Sequence, residues 1–133
     1  MPGMADPVAV VVRVNDCITV GDVDELTGLM TFDHVFIDTV GHAVHGRDEC
    51  RRAWQRFFDA FPGYRNVFTS LTATGPFVTM TGFSECSVVE LAGPALWAAT
   101  VRADRVAGWQ VYLDTPANRE ALALPRDDQP SAP

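Results

Sequence analysis

Four stretches of strand-forming residues run in tandem over residues 64–74, 77–91, 95–102 and 105–113. They are separated only by Gly75-Pro76, Gly93-Pro94 and Ala103-Asp104. Pro and Gly interrupt both helices and central strands, and short breaks between β-rich runs join neighbouring strands head to tail. Four consecutive strands with such connections predict an antiparallel meander. A chain of 133 residues has room for one domain with a real core.

The first half reads as helical. Val8, Val11, Val12, Cys17 and Ile18 recur near helical spacing over residues 7–20, although the valine content leaves a strand as the alternative. Gly21 interrupts this run. Asp22 is a good amino-terminal cap for a second, short helix whose apolar stripe is Val23, Leu26 and Leu29 or Met30. A strand is expected over 35–38, then a turn with a short return strand over 41–46. The clearest period lies in residues 47–61, where Cys50, Ala53, Trp54, Phe57 and Phe61 fall at i, i+3, i+4, i+7 and i+11, an amphipathic helix with an aromatic face. Thr115-Pro116 pairs a capping residue with proline at the first helical position, so a closing helix is expected to about residue 124. Residues 1–7 and the polar, proline-rich 125–133 are expected to be flexible, with a single domain over 8–124.

Composition narrows the function classes. A formal charge of −7 with no basic cluster opposes binding to nucleic acid or to an anionic membrane surface. No apolar run approaches the roughly 20 residues that span a bilayer, and no basic secretory start is present, so a cytoplasmic protein is expected. Cys17, Cys50 and Cys86 are scattered without metal-ligand spacing, and no metal or cofactor is expected.

One carboxylate stands inside an apolar strand, in Phe36-Ile37-Asp38-Thr39-Val40-Gly41. Burial disfavours the charged form of a carboxyl, which can make it a proton carrier near neutral pH. The competing role is structural: Asp before Thr-Val-Gly can end a strand by bonding the backbone two residues on. His42 and His45 stand across the turn. They read as exposed turn residues, with His45 the candidate to orient Asp38.

Several segments together resemble the nuclear-transport-factor-2-like superfamily, in its branch of SnoaL-like polyketide cyclases and ketosteroid isomerases. They are Gly21-Asp22-Val23-Asp24, the Asp38 segment, Gly46-Arg47-Asp48-Glu49, Phe61-Pro62-Gly63-Tyr64, and the strand from Arg105 through Gly108-Trp109-Gln110 to Asp114. The resemblance spans roughly residues 8–122. It implies an α+β roll of the cystatin-like type: a cone-shaped, curved antiparallel sheet wrapped around the long amphipathic helix, with an amino-terminal helical hairpin. Asp38 then falls where ketosteroid isomerases carry their catalytic base. The isomerase's two oxyanion donors correspond to Val14 and Trp97, and the Asp, Arg and Asp set of the superfamily's epoxide hydrolases corresponds to Ser84, Gly82 and Val111. Neither set is present. Asp114 is read as structural, on the opposite sheet facing from its neighbours.

The expected site is therefore Asp38 as general acid or base, supported by His45, Ser84 and Tyr64. Its apolar pocket would be lined by Val14, Cys17, Phe36, Trp54, Phe57, Phe61, Cys86, Trp97, Trp109, Val111 and Leu113. The implied activity is cyclisation or isomerisation of a hydrophobic, polyketide- or steroid-like carbonyl compound. The alternatives are a non-catalytic ligand-binding or dimerisation module and an epoxide-opening hydrolase or cyclase. A homodimer through the outer sheet face is the expected assembly.

Overall fold

Asp6 opens the first element: its side chain accepts the N–H of Val8, and Pro7 takes the first helical position of α1 (Pro7–Val20). The valines do not prevent this helix, because Val10, Val11 and Val14 are buried with Cys17 and Ile18 on one face, and tertiary burial outweighs intrinsic propensity. Gly21 ends it at φ +73°, a conformation that favours glycine. The Asp22 side chain then accepts the N–H of Glu25 and starts α2 (Val23–Gly28). The computed structural model describes residues 6–125, so the flexible ends expected at 1–7 and 125–133 lie almost wholly outside the described residues. Among these, no helix is long and apolar enough to cross a membrane.

Six strands follow: β1 (Met30–Ile37), β2 (Ala43–His45), β3 (Arg65–Thr74), β4 (Phe77–Glu85), β5 (Gly93–Arg102) and β6 (Arg105–Leu113). Between β2 and β3 lies the aromatic helix α3 (Arg47–Ala60), and α4 (Pro116–Ala121), capped by Thr115, closes the chain. The sheet order is β2-β1-β6-β5-β4-β3, a curved and unclosed sheet in which β3 to β6 form the expected antiparallel meander. Among the described residues the fold is α+β, a curved six-strand sheet with four helices, as the resemblance implies.

Four details differ from the sequence expectation. β1 starts at Met30 rather than at 35, because the polar-looking Thr31-Phe32-Asp33-His34 hides a strand: His34 is buried, and Arg102 pairs with Asp33 across the sheet. β1 also runs parallel to β6, with Phe36 opposite Trp109, so the sheet is not wholly antiparallel. The chain leaves β1 and passes through the helix and the whole meander before its last strand returns beside the first, and such a long crossover permits parallel pairing. The strand expected over 77–91 stops at Glu85, and Val89–Leu91 forms a single 3-10 turn ahead of Gly93-Pro94. Finally, α1 rather than α3 lies along β3 to β6, while α3 covers β1 and β2.

Curvature has a local cause at Thr69, the extra residue of a bulge between the pairs Phe68–Gly82 and Ser70–Thr81. Here the strands approach so closely that a Cβ on Gly82 would sit 1.9 Å from the Val67 carbonyl oxygen.

His34, 2% exposed, places its Nδ1 2.7 Å from the Val106 carbonyl oxygen. A carbonyl only accepts, so Nδ1 carries the hydrogen. Burial holds its pKa below the ordinary 6.5. The unfolded chain then binds more protons than the folded one as pH falls through 6.5, and stability drops on acidification. Urea unfolding at a series of pH values should show this loss, and His34→Asn should reduce the slope by up to about one proton in that window.

Candidate functional site

Strand alternation places Phe36, Trp109, Val111, Trp97, Ala95, Ser84 and Asn66 on the concave face, in adjoining rows fixed by the pairs Phe36–Trp109, Trp97–Val111, Ala95–Leu113 and Asn66–Ser84. They line a cavity of about 400 Å³, at the lower end of the range for small-molecule sites. Its inner wall is sealed, with Trp97 only 1% exposed. Its mouth is formed by the exposed Thr39, Glu90, Pro94 and Leu113.

From α3, Trp54 and Phe57 form an aromatic wall. Phe36 meets Trp54 edge-on at 5.5 Å between centroids, and Phe57 meets Tyr64 edge-on at 4.8 Å. Such contacts hold rings in fixed orientations beyond what area burial alone supplies. Among the described residues, the charged lining consists of Asp38 and Glu90, with no basic side chain.

Asp38 follows β1 directly. Its Oδ1 accepts the N–H of Val40 at 3.0 Å and of His42 at 2.9 Å, and its own N–H donates to the His42 carbonyl at 3.0 Å. The carboxylate thus organises the turn, as the strand-ending role requires. It also lines the cavity, and Oδ2 bonds no described residue. The two roles read from the sequence coexist in one side chain.

Across the cavity, Tyr64 Oη lies 3.1 Å from Ser84 Oγ, which lies 2.8 Å from Asn66 Oδ1. Asn15 of α1 donates from Nδ2 to the Asn66 carbonyl at 3.0 Å and ties the start of β3 to the helix. Burial pushes the Tyr64 phenol up from its ordinary value, so it stays protonated at neutral pH.

The cavity therefore brings together Asp38, Ser84, Tyr64, Phe36, Trp54, Phe57, Trp97, Trp109, Val111 and Leu113. Five expected residues lie elsewhere. Val14 and Cys17 face the core beneath, and Phe61 caps the end of α3 behind Phe57. Cys86 falls past the end of β4, where alternation stops, and its sulfur accepts the N–H of Val88. His45 is exposed and pairs with Val35 at the sheet edge. Asp114 is held by Arg119, whose Nε and Nη2 donate at 2.6 and 2.8 Å.

Sequence reasoning passed over Asn66, Val44 and Cys50 as cavity lining, and did not foresee residues 90–94 as a wall. For Asn66 the signal was available, since it stands two residues after Tyr64 on the same strand facing.

A family model for the SnoaL-like domain matches residues 11–113. The chain belongs to this family. A SnoaL-like protein of the polyketide cyclase type from Shewanella putrefaciens superposes with a TM-score of 0.74 at 19% identity, over 90% of this chain and 87% of that one. A protein with the ketosteroid isomerase-like fold from Catenulispora acidiphila, solved with trimethylamine, gives 0.69 at 20% identity over 91% and 97%. An LEH-like epoxide hydrolase from M. tuberculosis gives 0.70 at 15% identity over 80% of each chain. No curated protein matches. At these identities the likeness is one of fold, and one fold hosts several chemistries.

Within this SnoaL-like domain, Ser84 is the link between Tyr64 and Asn66. Removing its hydroxyl strands the buried Asn66 oxygen and the half-buried Tyr64 phenol, so Ser84→Ala should lower the unfolding free energy by about 1–3 kcal/mol in denaturant titration.

Proposed function

We propose that this SnoaL-like domain is a small-molecule enzyme in which Asp38 moves a proton to or from an apolar carbonyl compound held in the aromatic cavity, during cyclisation or isomerisation. The observation that carries this reading is the state of the Asp38 carboxylate at the cavity wall. Two backbone N–H groups fix Oδ1, while Oδ2 bonds no described residue. A positioned base with one unoccupied oxygen can take a proton from carbon beside a carbonyl and return it elsewhere. The reaction needs no cofactor. The lining favours an uncharged ligand, because its only ionisable groups other than Cys50 and the two phenols are the two acids.

The turn bonds of Oδ1 equally suit a non-catalytic binding module, so the test must read chemistry. In D2O the bicyclic probe decalin-2,6-dione should exchange hydrogens beside its carbonyls faster with the protein than without it. Asp38→Asn keeps Oδ1 for the turn and should slow that exchange by about 10²–10⁴-fold. Equal exchange by the variant would refute the assignment. The epoxide-opening alternative has less support, since its counterpart positions hold Gly82, Ser84 and Val111 and the only other acid in the lining is the exposed Glu90.

For assembly, we propose a homodimer through the outer sheet face, where Val35, Ile37, Ala98, Thr100, Gln110 and Tyr112 remain half-buried. Size-exclusion chromatography with light scattering should return twice the chain mass. A concentration-independent monomer would exclude it.

A further inference from the structure

The hydrogen bonds between Tyr64 and Asn66 have a forced direction. Ser84 has one hydroxyl hydrogen, and Asn66 Oδ1 at 2.8 Å can only accept, so that hydrogen is committed to Asn66. Ser84 must then accept at its 3.1 Å contact with Tyr64, which commits the phenol hydrogen as well. Both hydroxyls expected to support the site are thus spent inside the protein. Tyr64 offers the cavity only lone pairs.

Of these three linked side chains, Asn66 alone keeps hydrogens to give. The residue is 5% exposed and lines the cavity, and its Nδ2 bonds no described residue. Among the described residues, the sealed polar side-chain atom without a partner is Asn15 Oδ1, not Asn66 Nδ2. The Asn66 amide N–H therefore keeps surface, and the space it borders is the cavity. An amide N–H that opens onto an otherwise apolar cavity gains a hydrogen bond when a ligand oxygen reaches it.

Position adds the second half. Asn66 lies on β3, and Asp38 follows β1. Between them run β6, β5 and β4, four interstrand steps of about 4.8 Å along a curved sheet. The two side chains stand on opposite walls.

We propose that Asn66 Nδ2 donates to an acceptor oxygen at the end of the ligand remote from the carbon that Asp38 addresses. The preferred ligand is thus an elongated ring compound with a carbonyl at each end. This rests on the reading of the cavity as a carbonyl site but not on turnover there. Binding to Asn66 orients the ligand lengthwise and leaves the far end at the Asp38 wall.

Calorimetric titration with decalin-2,6-dione and with 2-decalone, which lacks the second carbonyl, tests this. The protein should bind the dione about five- to tenfold more tightly, the worth of one added hydrogen bond. Asn66→Asp keeps an oxygen for Ser84, lacks the amide hydrogens, and should erase the preference. In Tyr64→Phe both affinities can fall, but the preference should persist. Equal binding of the two probes by the unaltered protein, a preference surviving in folded Asn66→Asp, or its loss in Tyr64→Phe would each overturn the assignment. If Asn66→Asp does not fold, the unaltered protein and Tyr64→Phe decide. Because these are binding measurements, a failure of deuterium exchange with the preference intact would sink the proposed reaction and leave this inference standing.

Discussion

The parallel contact between β1 and β6 is the constraint on which the site depends. It sets Phe36 opposite Trp109 and carries the chain end of β1 to the cavity mouth, where Asp38 follows. A single imidazole helps to hold that register: His34 donates to the Val106 carbonyl, while the His34 carbonyl accepts the N–H of Gly46 and directs the chain into α3. Were β1 to slip by one residue, every side chain on it would change face, and Phe36 would leave the cavity. One buried polar residue thus couples the sheet edge, the aromatic helix and the turn that carries the carboxylate.

The meander was legible because its signals are local. Gly75-Pro76 turns β3 into β4, Gly93-Pro94 opens β5, and alternation fixes facing without further information. The helices were legible for the same reason, since Asp22 and Thr115 cap through their own side chains. β1 was legible only in its apolar second half. Its first half owes its existence to partners more than sixty residues away, Arg102 and Val106, which no local pattern reveals. The expected strand past Glu85 failed differently: Val88 and Val89 favour β structure, but the pairing of β4 with β5 ends at Ser84–Gly93, so the segment between them became a wall.

The candidate site divides along the same line. Its aromatic rows follow from period and facing, so Trp54, Phe57, Trp97 and Trp109 were found. The polarity of its hydrogen bonds does not follow from facing at all. Ser84 and Tyr64 lie where alternation puts them, yet whether each gives or takes a hydrogen depends on distances to Asn66. Hydroxyl groups are two-sided, and only a neighbour that can do one thing resolves them.

Gly82 bears on how this fold could be altered. The carbonyl of Val67 occupies the space where any side chain at that position would begin, and it is backbone at a bulge, unable to swing aside. The resemblance to epoxide hydrolases of the superfamily implies that their arginine would fall at this position. Grafting that chemistry onto this scaffold is therefore not a matter of exchanging residues on a fixed frame. The bulge at Thr69 would have to be removed first, and with it the bend that shapes the cavity. Ancestral or engineered routes between the two chemistries would have to pass through a change in strand register before a change in catalytic residues.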